Sequence, residues 1–123
     1  MPTVADVMTR DIVCVARSAT LGQVARELRS RNVGSALVVD EANAPIGIIT
    51  ERELVDSVAA SRNPDAGVAE SWMKAEPATV EASASLTEAS GLMRLNNVRH
   101  LPVTDDGRLV GIVSMRDLLA GTL

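Results

Sequence analysis

An internal repetition constrains what this chain can fold into more than any other feature. Gly47-Ile48-Ile49-Thr50-Glu51-Arg52-Glu53-Leu54 returns as Gly111-Ile112-Val113-Ser114-Met115-Arg116-Asp117-Leu118. An offset of 65 also aligns Met8 with Met73, Val15 with Val80, Ser18 with Ser83, Leu21 with Leu86 and Asn32-Val33 with Asn97-Val98; it falls to 64 before Gly47. A single one-residue deletion near Ala42-Asn43, against Gly107, therefore aligns nearly the whole chain with itself, and deletions of that kind fall in loops. With 123 residues in all, each half alone would be marginal, since a domain of about 60 residues buries too little surface. The expectation is one compact module of two repeats sharing a core: repeat 1 over 1–60, a linker over 61–67 and repeat 2 over 68–123.

Trp72 is the only aromatic residue, so the core must be built from Val, Ile, Leu, Met and Ala. No apolar run approaches the roughly 20 residues needed to cross a bilayer, and the N-terminus lacks a charged region followed by an apolar stretch. A cytoplasmic location with no membrane partner is expected. The single cysteine, Cys14, excludes an internal disulfide and a multi-cysteine metal site; within the apolar run Ile12 to Val15 it reads as a small buried thiol. One histidine and no His/Cys/carboxylate cluster argue against structural zinc. A net charge of -4 argues against broad nucleic-acid binding, which needs a basic surface, and stacking on single strands needs aromatics that this chain lacks. Small anionic ligands stay open, because a local cluster of donors suffices for them.

Each repeat reads as a short strand, a helix, two strands and a second helix, an α/β (α+β) pattern. In the first copy Ile12 to Val15 precedes Leu21, Val24, Ala25 and Leu28 at helical spacing; Leu86, Ala89 and Met93 repeat the stripe. Thr20 with Gln23, and Ser85 with Glu88, predict capping boxes. Strands follow at Ala36 to Val39, Pro45 to Ile49, Leu101 to Thr104 and Leu109 to Val113, and Asp105-Asp106-Gly107 signals a hairpin. The last helices begin at Thr50 and Ser114; Val55, Val58, Ala59 and Leu119 on them suit either core or a dimer interface. Asn63-Pro64 and its small polar neighbours mark the loop between copies. The chain ends directly after the last helix, so no catalytic or DNA-binding domain is expected beside the repeats.

Two constellations could carry chemistry. Thr50 with Glu53, and Ser114 with Asp117, match an ordinary N-terminal capping box worth about 1 kcal/mol. Each also follows a strand ending in glycine and two apolar residues and opens a helix whose free N–H groups favour an anion. There a carboxylate can accept two hydrogen bonds from a ribose diol while the hydroxyl reaches phosphate. Asp117 is the better candidate, since Glu53 is longer by a methylene and fits the cap more closely. The second constellation is Arg99-His100-Leu101-Pro102-Val103, in which Arg99 and His100 could both meet a phosphate. The first copy has Gly34 and Ser35 there, so the two candidate sites differ.

On these residues the chain resembles a tandem pair of CBS domains, the regulatory module named after cystathionine β-synthase. The resemblance spans essentially the whole length and rests on Gly-Ile-Val-Ser-x-Arg-Asp-Leu at 111 to 118, Arg-His-Leu-Pro-Val at 99 to 103 and Val4-Ala5-Asp6-Val7-Met8-Thr9 in order and spacing. It implies two β-α-β-β-α repeats packed through their sheets as a pseudo-twofold pair, homodimers, and clefts that bind AMP, ADP, ATP or S-adenosylmethionine as a regulatory ligand, with no cofactor required. It further implies a swapped site in which Asp117 holds the ribose and Ser114 with His100 the phosphates. Arg99 and Arg116 assist there, and Thr9, Arg10, Ile12 and Val13 line the base. The reciprocal, weaker site uses Thr50, Glu53, Arg52, Lys74, Ala78 and Thr79; it departs from the family at Glu53, where aspartate is usual, and lacks a counterpart of His100.

A ligand-sensing module that signals to a separate effector protein is therefore the leading expectation. Its rival is a dimerisation scaffold with empty clefts, in which the hydroxyl–carboxylate pairs only cap helices. An enzyme is disfavoured, because Ser114 has no evident base in its motif.

Overall fold

The computed structural model describes residues 1–60, 63 and 67–122. In chain order its elements are α1 (Val4–Val7), β1 (Val13–Ala16), α2 (Leu21–Arg31), β2 (Ser35–Val39), β3 (Pro45–Thr50) and α3 (Glu51–Ala60), then α4 (Ala69–Trp72), β4 (Lys74–Ala75), β5 (Val80–Glu81), α5 (Leu86–Asn96), β6 (His100–Asp105), β7 (Arg108–Ser114) and α6 (Met115–Gly121). The expected linker over 61–67 lies, apart from Asn63 and Gly67, outside the described residues.

The chain divides into two compact units, Val13–Pro77 and Ala78–Leu123 together with Met1–Ile12. In the Val13–Pro77 unit the sheet order is β1-β2-β3-β4. β1 and β2 are parallel and linked by α2, as a parallel pair requires a crossover; β2–β3 and β3–β4 are antiparallel. The other unit repeats the plan with β5-β6-β7, where α5 links the parallel pair β5–β6 and β7 returns antiparallel. The repeats and the units cut the chain at different places. Val4, fully buried, belongs to the core around Leu86, Leu101 and Leu118, whereas Ala69, its counterpart in the second copy, belongs to the core around Leu21, Val24 and Leu28. Backbone bonds fix both insertions: Val4 N–H donates to Ala84 and Ala5 N–H to Ala82, while Ala69 N–H donates to Ala19 and Glu70 N–H to Arg17.

The strand alternation corrects one expectation. Val13 and Val15 point into the core, so Cys14 between them points away and is exposed rather than buried. Partial desolvation still raises its thiol pKa, with Arg31 acting in the opposite direction.

The helix signals held at α2, where Thr20 Oγ1 accepts from Gln23 N–H at 3.1 Å and Gln23 Oε1 accepts from Thr20 N–H at 2.9 Å. At α5 only half the box forms: Ser85 Oγ accepts from Glu88 N–H at 3.0 Å, and the exposed Glu88 carboxylate does not return the bond. Both helices end on asparagine in the left-handed region, Asn32 at φ 55° and Asn97 at φ 54°. In each, the next N–H reaches back to close the last turn, Val33 to Leu28 and Val98 to Met93. The repeated Asn-Val pair is thus a helix stop. Asp106 and Gly107, both at positive φ, form the two-residue turn between β6 and β7, whereas residues 40–44 make the corresponding longer loop. The one-residue deletion falls in this turn, as expected. On the last helices Leu118 is buried, but Val55, Val58 and Leu119 are 65%, 66% and 61% exposed, which removes them from the core.

Candidate functional site

Antiparallel pairing of β6 with β7 sets His100 directly opposite Ser114. The chain then turns from strand into helix at Ser114, and Met115 N–H donates to the Arg99 carbonyl at 2.9 Å, holding the start of α6 against the residue that precedes β6. Ser114 and Asp117 close a reciprocal capping box: Ser114 N–H donates to Asp117 Oδ2 at 2.9 Å and Asp117 N–H to Ser114 Oγ at 3.1 Å. The cap consumes one carboxylate oxygen and one acceptor site of the hydroxyl. Asp117 Oδ1 and the hydroxyl proton of Ser114 have no partner among the described residues, and both side chains are half-buried. On the far edge of β7, Thr9 N–H donates to the Ile112 carbonyl at 2.8 Å and accepts Ile112 N–H on its own carbonyl at 3.0 Å. Thr9 is thereby placed two strand positions from Ser114; Arg10, next to Thr9 in sequence, and Arg116, two residues after Ser114, are exposed.

The first copy builds the same scaffold and spends it differently. Ser35 stands opposite Thr50, and Lys74 on β4 pairs with Ile48 as Thr9 pairs with Ile112. The longer Glu53 side chain, however, folds back so that its Oε1 accepts both the Thr50 N–H at 2.7 Å and the Thr50 hydroxyl at 2.8 Å. Thr50 Oγ1 in turn accepts Arg52 N–H at 3.3 Å. Glu53 is only 6% exposed, and the Thr50 hydroxyl proton is spent on its carboxylate; the reciprocal box expected here does not form, since Thr50 Oγ1 accepts from Arg52 N–H rather than from Glu53 N–H.

The structure thus gathers Asp117, Ser114, His100, Arg99, Thr9 and the exposed Arg10 and Arg116 on one unit. Ile12, half-buried, follows Arg10 there, and its N–H donates to the Arg10 carbonyl. Val13 begins the other unit, and its side chain is committed to that core at 2% exposure. Of the second set, Thr50, Glu53, Arg52 and Lys74 share the Val13–Pro77 unit, whereas Ala78 and Thr79 belong to the other. Among the described residues no group of three or more His, Cys, Asp or Glu could hold a metal ion, and no helix is long and apolar enough to cross a membrane.

Sequence reasoning missed why the glycines repeat. A Cβ added at Gly111 would stand 2.7 Å from Met8 Sδ and 2.8 Å from the Thr9 carbonyl oxygen, and one at Gly47 would overlap the Met73 side chain. Each glycine is the floor on which the methionine of the crossing segment lies, which brings Thr9 or Lys74 to the strand edge. The signal was available in the aligned pairs Met8/Met73 and Gly111/Gly47.

The CBS domain profile matches residues 4–60 and 68–121. An uncharacterized protein of Methanopyrus kandleri is 40% identical over 119 residues; the match takes in 95% of this chain and 61% of the relative, so the chain spans about three-fifths of that protein. A putative signal-transduction protein with CBS domains from Burkholderia ambifaria superposes at a TM-score of 0.90 with 32% identity, covering 99% of this chain and 94% of the other. A CBS domain protein from Pyrobaculum aerophilum, solved in complex with AMP, superposes at 0.85 with 31% identity over 94% of this chain and 89% of the other. With two profile matches and two small α/β units built on the same strand and helix order, the chain belongs to the CBS domain family and carries two copies of the domain.

Proposed function

We propose that this chain is a regulatory module that binds an adenosine-containing ligand, AMP, ADP, ATP or S-adenosylmethionine, acts as a homodimer and passes the binding signal to a separate effector protein. One observation carries the reading: the Ser114–Asp117 cap keeps a carboxylate oxygen and a hydroxyl proton unspent at a half-buried place opposite His100, while in the first copy the Thr50 hydroxyl proton is spent on Glu53 and the Glu53 side chain is buried. Asp117 Oδ1 suits a ribose hydroxyl, and Ser114 with His100 and Arg99 suits phosphate oxygens. The AMP complex of a relative 31% identical to this chain supports the ligand class. Regulation then requires that the ligand bind one conformation better than another.

Titration calorimetry with AMP, ATP and S-adenosylmethionine tests this. Asp117→Ala is expected to weaken binding of whichever ligand the wild type takes by tenfold or more, given that a hydrogen bond to a charged group contributes about 1.5–3 kcal/mol. Binding unchanged in the variant refutes the ribose contact. The scaffold reading, in which both pairs serve only as caps, predicts no thermal shift with any nucleotide. A bound ligand at 100 times its dissociation constant adds about 2.7 kcal/mol to stability.

A further inference from the structure

Beyond the Ser114–Asp117 cap, the same unit carries a cleft of about 320 Å³ between the end of α5 and the start of α6. That volume lies at the lower end of small-ligand sites, which run from about 300 to 1,000 Å³. Ser90 and Arg94 line it from α5, Asn97 from the helix cap, and Arg99 and Met115 from the other side. The Arg94 and Arg99 side chains make no hydrogen bond or ion pair among the described residues. The end of a helix ordinarily exposes carbonyl oxygens that repel an anion. Here the carbonyls of Met93 and Arg94 are already occupied, by Val98 N–H at 2.9 Å and Asn97 N–H at 3.3 Å. The polar residues of the lining, Arg94, Arg99, Ser90 and Asn97, are a set suited to phosphate oxygens, and Met93, Val98 and Met115 complete it with apolar surface.

The sister repeat supplies the contrast. Under the same alignment Arg94 corresponds to Arg29, Ser90 to Ala25, Arg99 to Gly34 and Met115 to Glu51. The Glu51 N–H donates to the Gly34 carbonyl just as the Met115 N–H donates to Arg99. A Cβ at Gly34 would lie 3.0 Å from Glu51 Oε1, so in the first copy a carboxylate stands at the position from which the Arg99 side chain springs in the second. One repeat presents two cations in a cleft, and the other presents an acid across it.

We propose that the Arg94–Arg99 cleft is a polyphosphate subsite, which takes the terminal phosphates of a nucleotide anchored at Asp117 and makes the chain prefer ATP to AMP. Arg99 links the two places along the chain: it lines the cleft, and the residue after it, His100, stands opposite Ser114. The proposal rests on the nucleotide reading for its anchor, while the cleft's affinity for phosphate chains stands apart from it.

The test is calorimetry of the intact chain with AMP, ATP and sodium tripolyphosphate, on the wild type, Arg94→Gln and Asp117→Asn. Arg94 is exposed on α5, so its replacement leaves the core intact. Wild type is expected to bind ATP at least about tenfold more tightly than AMP, and Arg94→Gln to bring that ratio close to one. Asp117→Asn is expected to weaken AMP and ATP by a common factor and so preserve the ratio. Equal affinities in the wild type, or a ratio unchanged by Arg94→Gln, overturn the subsite while leaving nucleotide binding in place. If neither nucleotide binds, the adenosine reading fails and tripolyphosphate decides the cleft: binding lost in Arg94→Gln sustains it as a polyphosphate site, and no binding, or binding equal in the variant, overturns it.

Discussion

Adding one methyl group at Gly111 and at Gly91 should have opposite effects, because the two glycines serve different purposes. At Gly111 the new atom meets the Thr9 carbonyl, a backbone atom that cannot swing aside, as well as Met8 Sδ. Gly111→Ala is expected to destabilise by about 1–3 kcal/mol through overpacking. Gly91, in the interior of α5, has nothing within 4 Å of the added position, so Gly91→Ala should stabilise by about 0.5–1 kcal/mol through lower backbone entropy in the unfolded chain and better helix propensity. Urea unfolding midpoints of the two variants check both signs; a Gly111→Ala protein as stable as the wild type would sink the methionine–glycine lock. At this scale the sequence exposed the residues but not their division of labour. Glycine repeating next to Ser114 and Thr50 looks like part of a ligand motif, and only the position of Met8 shows that a structural contact demands it. The caps were legible only as unequal: the reciprocal box expected to suit Glu53 better forms instead at Ser114–Asp117, because the longer Glu53 side chain takes both Thr50 donors on one oxygen and Thr50 Oγ1 accepts from Arg52 N–H rather than from Glu53 N–H.

Among the elements, the helix ends show which rules can be read locally. Asn32 and Asn97 take the same left-handed conformation at equivalent places, where asparagine is tolerated and a β-branched residue is strained. Asn97→Val is therefore expected to cost about 1–2 kcal/mol and Asn97→Gly only a few tenths, read as shifts in thermal midpoint. Equal losses in the two variants would mean that the asparagine side chain, rather than the backbone conformation, is what the position needs. Helices α2 and α5 and the hairpin β6–β7 were legible because their periods and turn residues lie within one stretch of chain. Three elements were not: α1 and α4 have four residues each and β4 has two. They are too short to display a period, and they are ordered by partners far along the chain, such as Ala84 for Val4, Ala19 for Ala69 and Ile48 for Lys74.

At the scale of the whole molecule, near-identity of the repeats hides which body each opening segment joins. Val4 and Ala69 are both small, apolar and fully buried, and exchanging their hosts preserves every hydrophobic pattern in the sequence. Contact with one core or the other is a three-dimensional fact that internal repetition cannot encode. The proposed homodimer is open to a direct test at the same scale. Val55 and Val58 lie three residues apart on α3, one helical turn, and both are more than 60% exposed, as is Leu119 on α6. Covering a valine is worth about 1.5 kcal/mol when burial is complete, about tenfold in a dissociation constant. An acid at the same place adds the cost of burying an unpaired charge. If α3 forms the dimer contact, Val58→Asp should convert dimer to monomer at micromolar concentration in sedimentation velocity, and Val55→Lys should weaken the dimer in the same direction. Because both side chains lie outside the cores, circular dichroism of the dissociated protein should match that of the wild type, while its thermal midpoint falls by the stabilisation that dimerisation supplied. A wild type that sediments as a monomer at high concentration, or a Val58→Asp protein that keeps the dimer mass, excludes α3 as the dimer surface.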